Sequence, residues 1–194
     1  VYIDLDADVP CRTIGFRDGQ LVADVASYDR CKHLQAKDRS NYRWRSGVKH
    51  DCSAIMELSK LDNGYVNSLG QILDLEDTLI FPMLKSSDLA NGSVENPSRY
   101  MLVTQAAMGE DTALIAEKAP KTWAYLQRNA HFLDRRASSI YKNRPRFAVF
   151  GVGPYTFAPW KVAISGFYKS LEFKVVGPVG GKPIVLDDTS NFIP

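Results

Sequence analysis

Along most of the chain, apolar and polar positions alternate in short runs, and one stretch repeats at helical spacing. Val1-Tyr-Ile-Asp-Leu5 alternates loosely and predicts an opening strand. Asp18-Gly19 predicts a turn. Residues 24–43 are polar and mixed, either a loop or a short helix. Ala54–Leu58 is apolar and fits a strand. Asp62-Asn-Gly-Tyr65 predicts a hairpin turn, with further apolar positions at 69–75. Pro82 predicts the end of the apolar run that starts at Leu79, and 99–104 predicts a strand. Asp111 or Thr112 suits the cap of a short helix to Lys118, and Pro120 suits the first turn of a second. Trp123, Leu126, Ala130 and Leu133 recur at i, i+3, i+7 and i+10, a stripe that faces a core. Arg135 and Arg136 close that helix, where the dipole favours cations. In the last third, Phe147–Val152, Lys161–Ser165, Leu171–Val176 and Pro183–Leu186 predict strands. Within 171–176 the alternation predicts Leu171, Phe173 and Val175 inward and Glu172 and Lys174 outward. The expected class is α+β: a twisted mixed or antiparallel sheet with a few packed helices.

Length changes little: 194 residues fit one domain, or one with a small appendage. No run of about 18 apolar residues predicts a membrane-spanning helix, and no signal peptide is legible. Cys11, Cys31 and Cys52 are an odd number, which argues for a reducing compartment. The chain starts at Val1 with a strand-like pattern and stops at Pro194 directly after another, so we expect a piece of a longer protein.

Charge changes the picture more. From Arg135 to Leu171 the chain carries seven Lys and Arg and no acid, so the remainder holds 17 basic against 22 acidic residues. Arg144–Lys169 also packs seven aromatics, three glycines and three prolines into 26 positions. A positive segment on a mildly negative body suggests a polyanionic partner, though a half-buried sheet whose acids lie elsewhere has the same composition. Tyr155, Phe157 and Trp160 either stack on bases or belong to the core. Arg43, Arg45, Lys49 and His50 either line a binding surface or form a solvated loop. Lys85-Ser-Ser-Asp88 is a polar tip able to meet phosphate.

Other chemistry fits less well. Asp4, Asp6 and Asp8 lack the glycine and the closing glutamate of a calcium loop. Gly151-Val-Gly-Pro154 lacks the third glycine and the following helix of a dinucleotide or S-adenosylmethionine loop. Cys31-x-His33 and His50-x-Cys52 offer zinc-type ligands at a spacing shorter than structural zinc prefers. Glu172-x-Lys174, with Asp187 downstream, matches half of a metal-dependent nuclease signature.

In order, Trp44-Arg-Ser-Gly-Val-Lys-His-Asp-Cys52, Leu84-Lys-Ser-Ser-Asp88, Pro120-Lys-Thr-Trp-Ala-Tyr-Leu126, Phe150-Gly-Val-Gly153, Lys161-Val-Ala-Ile-Ser-Gly166 and Asp187-Asp-Thr189 resemble the C-terminal target-recognition domain of adenine-specific DNA methyltransferases of restriction–modification systems. The specificity subunits of type I systems are similar in plan. The resemblance covers roughly residues 40–192, so we expect 1–39 to be a connecting segment with the first strands and 40–194 to be the recognition domain. It implies a bacterial, cytoplasmic, nucleoid-associated parent that moves a methyl group from S-adenosylmethionine to an adenine flipped out of duplex DNA. The Asn/Asp-Pro-Pro-Tyr/Phe motif of such enzymes is absent, since no Pro-Pro pair occurs. This stretch is therefore expected to be catalytically silent, with no cofactor of its own. Its expected partners are double-stranded DNA and the catalytic domain of the same parent chain. The candidate DNA contacts are Arg45, Lys49, His50, Lys85, Ser86, Arg144, Arg146, Tyr155, Phe157, Lys161 and Lys169, with lysines mainly at phosphates and an arginine or two at guanine edges. The alternatives are a metal-dependent endonuclease built on Glu172, Lys174 and Asp187, and a non-catalytic subunit-interaction module.

Overall fold

Asp18 and Gly19 both take positive φ, 48° and 77°, the backbone that a two-residue hairpin turn requires. They join β1 (Gly15–Arg17) to β2 (Gln20–Val22). Asp24 then caps α1 (Val25–Cys31), accepting from the Ser27 amide at 3.0 Å. These elements belong to the first of two compact units, Val1–Arg43 and Trp44–Pro194, in a computed structural model that describes residues 1–34, 43–167 and 171–194. The expected strand at 1–5 does not form, and Ile3 and Leu5 are exposed to solvent. No described residue of this first unit is buried.

The second unit carries the core. Its elements in chain order are β3 (Arg45–Ser46), α2 (Ser53–Met56), β4 (Glu57–Leu61), β5 (Gly64–Asn67), β6 (Ile72–Leu73), β7 (Ile80–Leu84), α3 (Ser86–Ala90), β8 (Arg99–Leu102), α4 (Ile115–Lys118), α5 (Pro120–Arg128), α6 (Ala130–Asp134), β9 (Lys161–Ser165), β10 (Lys174–Val176), β11 (Val185–Leu186) and β12 (Ser190–Ile193). Six strands form one sheet in the order β11-β7-β8-β4-β5-β6, antiparallel except for the parallel β11–β7 pair. Four form a second, antiparallel sheet in the order β10-β9-β12-β3. The class is α+β, as the sequence predicts. Among the described residues, no helix is long and apolar enough to cross a membrane.

Several elements follow the sequence directly. Gly64 (φ 124°) opens β5 just after the hairpin turn from β4, where β6 comes so near that a Cβ would lie 2.4 Å from the Leu73 carbonyl oxygen. Pro120 opens α5, and the predicted stripe is real: Leu126, Ala130 and Leu133 are buried, and Trp123 packs edge-on to Phe147. The helix breaks once, at Asn129, whose side chain donates to the Tyr125 carbonyl at 2.9 Å, and α6 carries the stripe onward.

Four expectations need correction. Ala54–Leu58 is not all strand; α2 ends at Met56 and β4 starts at Glu57. Pro82 lies inside β7 and does not end it. The Val103 amide bonds the Leu79 carbonyl at 2.8 Å, so alternation puts the Pro82 nitrogen on the side away from β8. There β11 begins pairing only at Met83, and no ladder bond is lost. Phe147–Val152 is apolar because Phe147, Ala148, Val149 and Val152 are buried, yet it joins a strand only at the Lys49–Phe150 bridge. The alternation of 171–176 does not hold: only 174–176 is strand, Leu171, Phe173 and Val175 are exposed together with Glu172, and Val176 is buried. β10 is an edge strand whose apolar outer face meets Trp44 beside Phe173.

Candidate nucleic-acid interface

Gly47 sets the geometry. A Cβ on it would lie 2.1 Å from the Asp187 carbonyl oxygen, so only glycine lets this backbone approach so near. The Val48 amide then donates to the Leu186 carbonyl at 2.7 Å, and Lys49 exchanges both backbone bonds with Phe150 at 2.9 and 2.8 Å. The result brings Lys49–Cys52, from one end of the unit's sequence, against Asp187–Thr189 from the other. Between them, with Ser53, Ala54, Glu57 and Lys85, lies an open cleft of about 450 Å3.

Lys85, which lines the cleft, and Lys49, which borders it, are each matched by acids that line it. Lys49 Nζ lies 2.9 Å from Asp51 and 3.0 Å from Asp188, and these bonds raise its pKa. Lys85 Nζ lies 2.7 Å from Glu57 Oε1. His50 Nδ1 accepts from the Cys52 amide at 3.1 Å, which leaves the proton on Nε2, 3.4 Å from the same Oε1. Burial alone would push the Glu57 carboxyl up, but the bonds from His50 and Lys85 win and hold it at about 2. Burial pushes the Asp187 carboxyl up, against the hydrogen bonds it accepts from Thr189.

The positive segment supports this cleft from behind. The Arg136 guanidinium donates to the carbonyls of Leu133 (2.9 Å), His50 (3.3 Å), Ala148 (2.7 Å) and Arg146 (3.0 Å), and lies 3.7 Å from the centre of the Tyr141 ring. The Tyr141 hydroxyl donates to the Lys49 carbonyl at 3.2 Å. A second cleft of about 310 Å3 opens here, lined by Asp134, Arg136, Tyr141, Lys142 and Arg146 among others.

The structure brings together Lys49, His50, Lys85 and Ser86 of the predicted contacts. Ser86 is buried, its amide donating to Thr189 Oγ1 and its hydroxyl bonded to that of Ser165. Arg144 and Arg146 are exposed beside the second cleft, with Arg146 gripped by Asp134 at 3.0 and 2.6 Å. Arg45 lies 4.4 Å over the half-buried Tyr155 ring, its Nε buried without a hydrogen-bond partner. Phe157 is turned inward against Phe81, at 5.1 Å. Lys161 is 2% exposed and donates to the carbonyls of Ala158 and Ile184, and burial pushes its pKa down to about 8. Lys169 lies outside the described residues. Sequence reasoning missed Glu57, the acid on which the cleft's cations converge; a lone glutamate in Met56-Glu-Leu58 carries no signal of that partnership.

For the nuclease alternative, Glu172 and Lys174 lie 3.3 Å apart beside β10, and neither lines the cleft that Asp187 lines. Among the described residues, no three His, Cys, Asp or Glu side chains gather closely enough to hold a metal ion.

No protein-family model matches the chain. The chain is similar to Type II methyltransferase M.NspV of Nostoc sp., with 47% identity over 180 residues that cover 93% of this chain. The chain spans 37% of the length of that curated relative. The resemblance read from the motifs is thus borne out by a similarity over nearly all of this chain and a part of that relative. Among solved structures, the type IIL restriction–modification enzyme MmeI in complex with DNA aligns with 79% of this chain and 19% of its own, at a TM-score of 0.49 and 11% identity. That likeness is too slight to carry an argument.

Proposed function

We propose that this chain is the target-recognition part of an adenine-specific, S-adenosylmethionine-dependent DNA methyltransferase of a bacterial restriction–modification system. The observation that carries the reading is the 47% identity to a type II methyltransferase across 93% of the chain. Two independent features support it: the exposed cations Lys142 and Arg144 of the acid-free stretch, and the cleft where cations and carboxylates stand side by side. Phosphates are met by Arg144 and Lys142 on the exposed rim, which position the duplex without reading it. Carboxylates repel phosphates, so the cleft of Glu57, Asp51 and Asp188 faces base edges and takes Lys49, His50 and Lys85 with it. Arg146 joins the rim when it exchanges Asp134 for phosphate. Phe157 and Lys161, both sequestered, leave the proposed surface.

The residues present do not fit S-adenosylmethionine. Gly151 (φ 72°) is needed because a Cβ would lie 2.8 Å from the Gly47 carbonyl oxygen, and at Gly153 a Cβ would press on the Tyr155 ring. A four-residue turn, 154–157, follows in place of a helix. These glycines serve backbone packing, and we assign the cofactor and the methyl transfer to the rest of the parent. The test is selection of bound duplexes from a random-sequence library by this chain. One enriched short motif is expected, and a bound pool indistinguishable from the input would overturn the reading.

A further inference from the structure

The cleft beside Asp187 continues into a neighbour of about 290 Å3, lined by Ser59, Val66, Asn67, Ser68 and Arg99. The two share Ser53, Glu57 and Lys85. The Glu57–Lys85 pair thus stands at the midpoint of one continuous groove, the side chains 17% and 29% exposed. Both elements beneath it are rigid. Glu57 starts β4 opposite Met101 of β8, and Lys85 follows directly on β7, whose Phe81 also faces Met101. The Lys85 amide donates to Asp88 at 2.8 Å, and Arg99 holds the same carboxylate at 3.0 and 3.1 Å. Lys85 Nζ and His50 Nε2 both meet Oε1 of Glu57. Oε2 takes neither contact, and the ammonium keeps two further N–H groups. The pair therefore presents a second carboxylate oxygen beside a double donor, the ammonium 2.7 Å from the neighbouring oxygen of the same carboxylate.

We propose that Glu57 and Lys85 together read one C·G base pair of the recognised site, Glu57 Oε2 accepting from the cytosine N4 amino group and Lys85 Nζ donating to guanine O6 and N7. In the major groove that base pair shows a donor beside two acceptors, the complement of this pair, and O6 and N4 are themselves one hydrogen bond apart. A T·A pair also sets an amino group beside a carbonyl. There, however, the ammonium meets a single acceptor, O4, and the thymine methyl group. The charges matter as a unit: each neutralises the other as the duplex approaches, so neither enters the groove as a bare ion.

This rests on the proposed recognition function, and one experiment separates the two. The random-library selection is run with the wild-type chain, Glu57→Gln and Lys85→Met, each checked for folding by circular dichroism, and the bound pools are sequenced. Preference for C·G is expected to fall about tenfold or more at a single position, the same one in both variants, with the rest of the motif intact. Relaxation at two different positions, at a position that prefers A·T, or equally at all positions overturns the pair. So does an unchanged motif. A wild-type chain that enriches no motif overturns the recognition function itself and the pair with it. A variant that does not fold is replaced by Glu57→Ala or Lys85→Ala, which also remove the acceptor or the donor, and read by the same criterion.

Discussion

Replacing Arg136 with alanine separates the structural cations of the positive segment from those that meet DNA. Its guanidinium satisfies four carbonyls, three of them on the buried residues Leu133, His50 and Ala148; the Leu133 carbonyl keeps the Arg136 amide as a partner, so truncation leaves those of His50 and Ala148 without this donor. A buried acceptor left unpaired costs about 1–3 kcal/mol. The ring contact at 3.7 Å from the Tyr141 centre adds about 1 kcal/mol. Burial works the other way: it lowers the Arg136 pKa, so the folded state holds this charge at a cost that alanine removes. The net expected loss is about 3 kcal/mol, since such terms do not add fully. In a unit of this size that lowers Tm by about 6–12 °C. Urea denaturation followed by circular dichroism measures the loss, and a value under about 1 kcal/mol would refute the reasoning. A second readout follows from the same geometry. Arg136 has its donors on carbonyls, not phosphates. Below its own Tm, the Arg136→Ala variant should keep the wild-type slope of log K against log salt in DNA binding.

Other substitutions test other links. Arg144→Ala should fold as wild type and reduce that salt slope by about 1, measured by anisotropy at several salt concentrations. Gly47→Ala drives a Cβ to within 2.1 Å of the Asp187 carbonyl oxygen and should destabilise the unit by about 2 kcal/mol or more in thermal melts. Lys161 supplies a pH test. Its folded pKa, about 8, lies below the unfolded value near 10.4, so between these the unfolded chain binds more protons and stability rises with pH. The rise amounts to about 3 kcal/mol, complete near pH 10.4, and Lys161→Met should abolish it in denaturation curves taken from pH 7 to 10.5.

What the sequence made legible was local. Pro120, the Leu126–Leu133 stripe, the turns at Asp18-Gly19 and Asp62-Asn63, and strand Lys161–Ser165 each rest on chemistry within a few residues, and each is present. The misreadings came where tertiary context decides. Pro82 is tolerated because β11 is short. Leu171 and Phe173 precede β10, an edge strand of three residues, so the alternation read over 171–176 had only Lys174–Val176 to act on. Phe147–Val149 is apolar for burial without being strand. At the site, Lys49 and Lys85 were visible as cations, with His50 beside them. Their neutralisation was not, because Lys49 meets Asp188 across 139 positions and Lys85 meets Glu57 across 28. Lys161 read as a phosphate ligand only because charge gave no hint that it is buried.

The central claim is that this chain reads duplex DNA. Its most direct test is fluorescence anisotropy of the chain with a labelled duplex carrying the selected motif and with a scrambled duplex, each across a salt series. The account predicts that log K falls with log salt for both, by several units of slope, and that the motif duplex binds at least about 1,000-fold more tightly than the scrambled one at physiological salt. Equal affinity for the two duplexes, or binding that does not respond to salt, would contradict it.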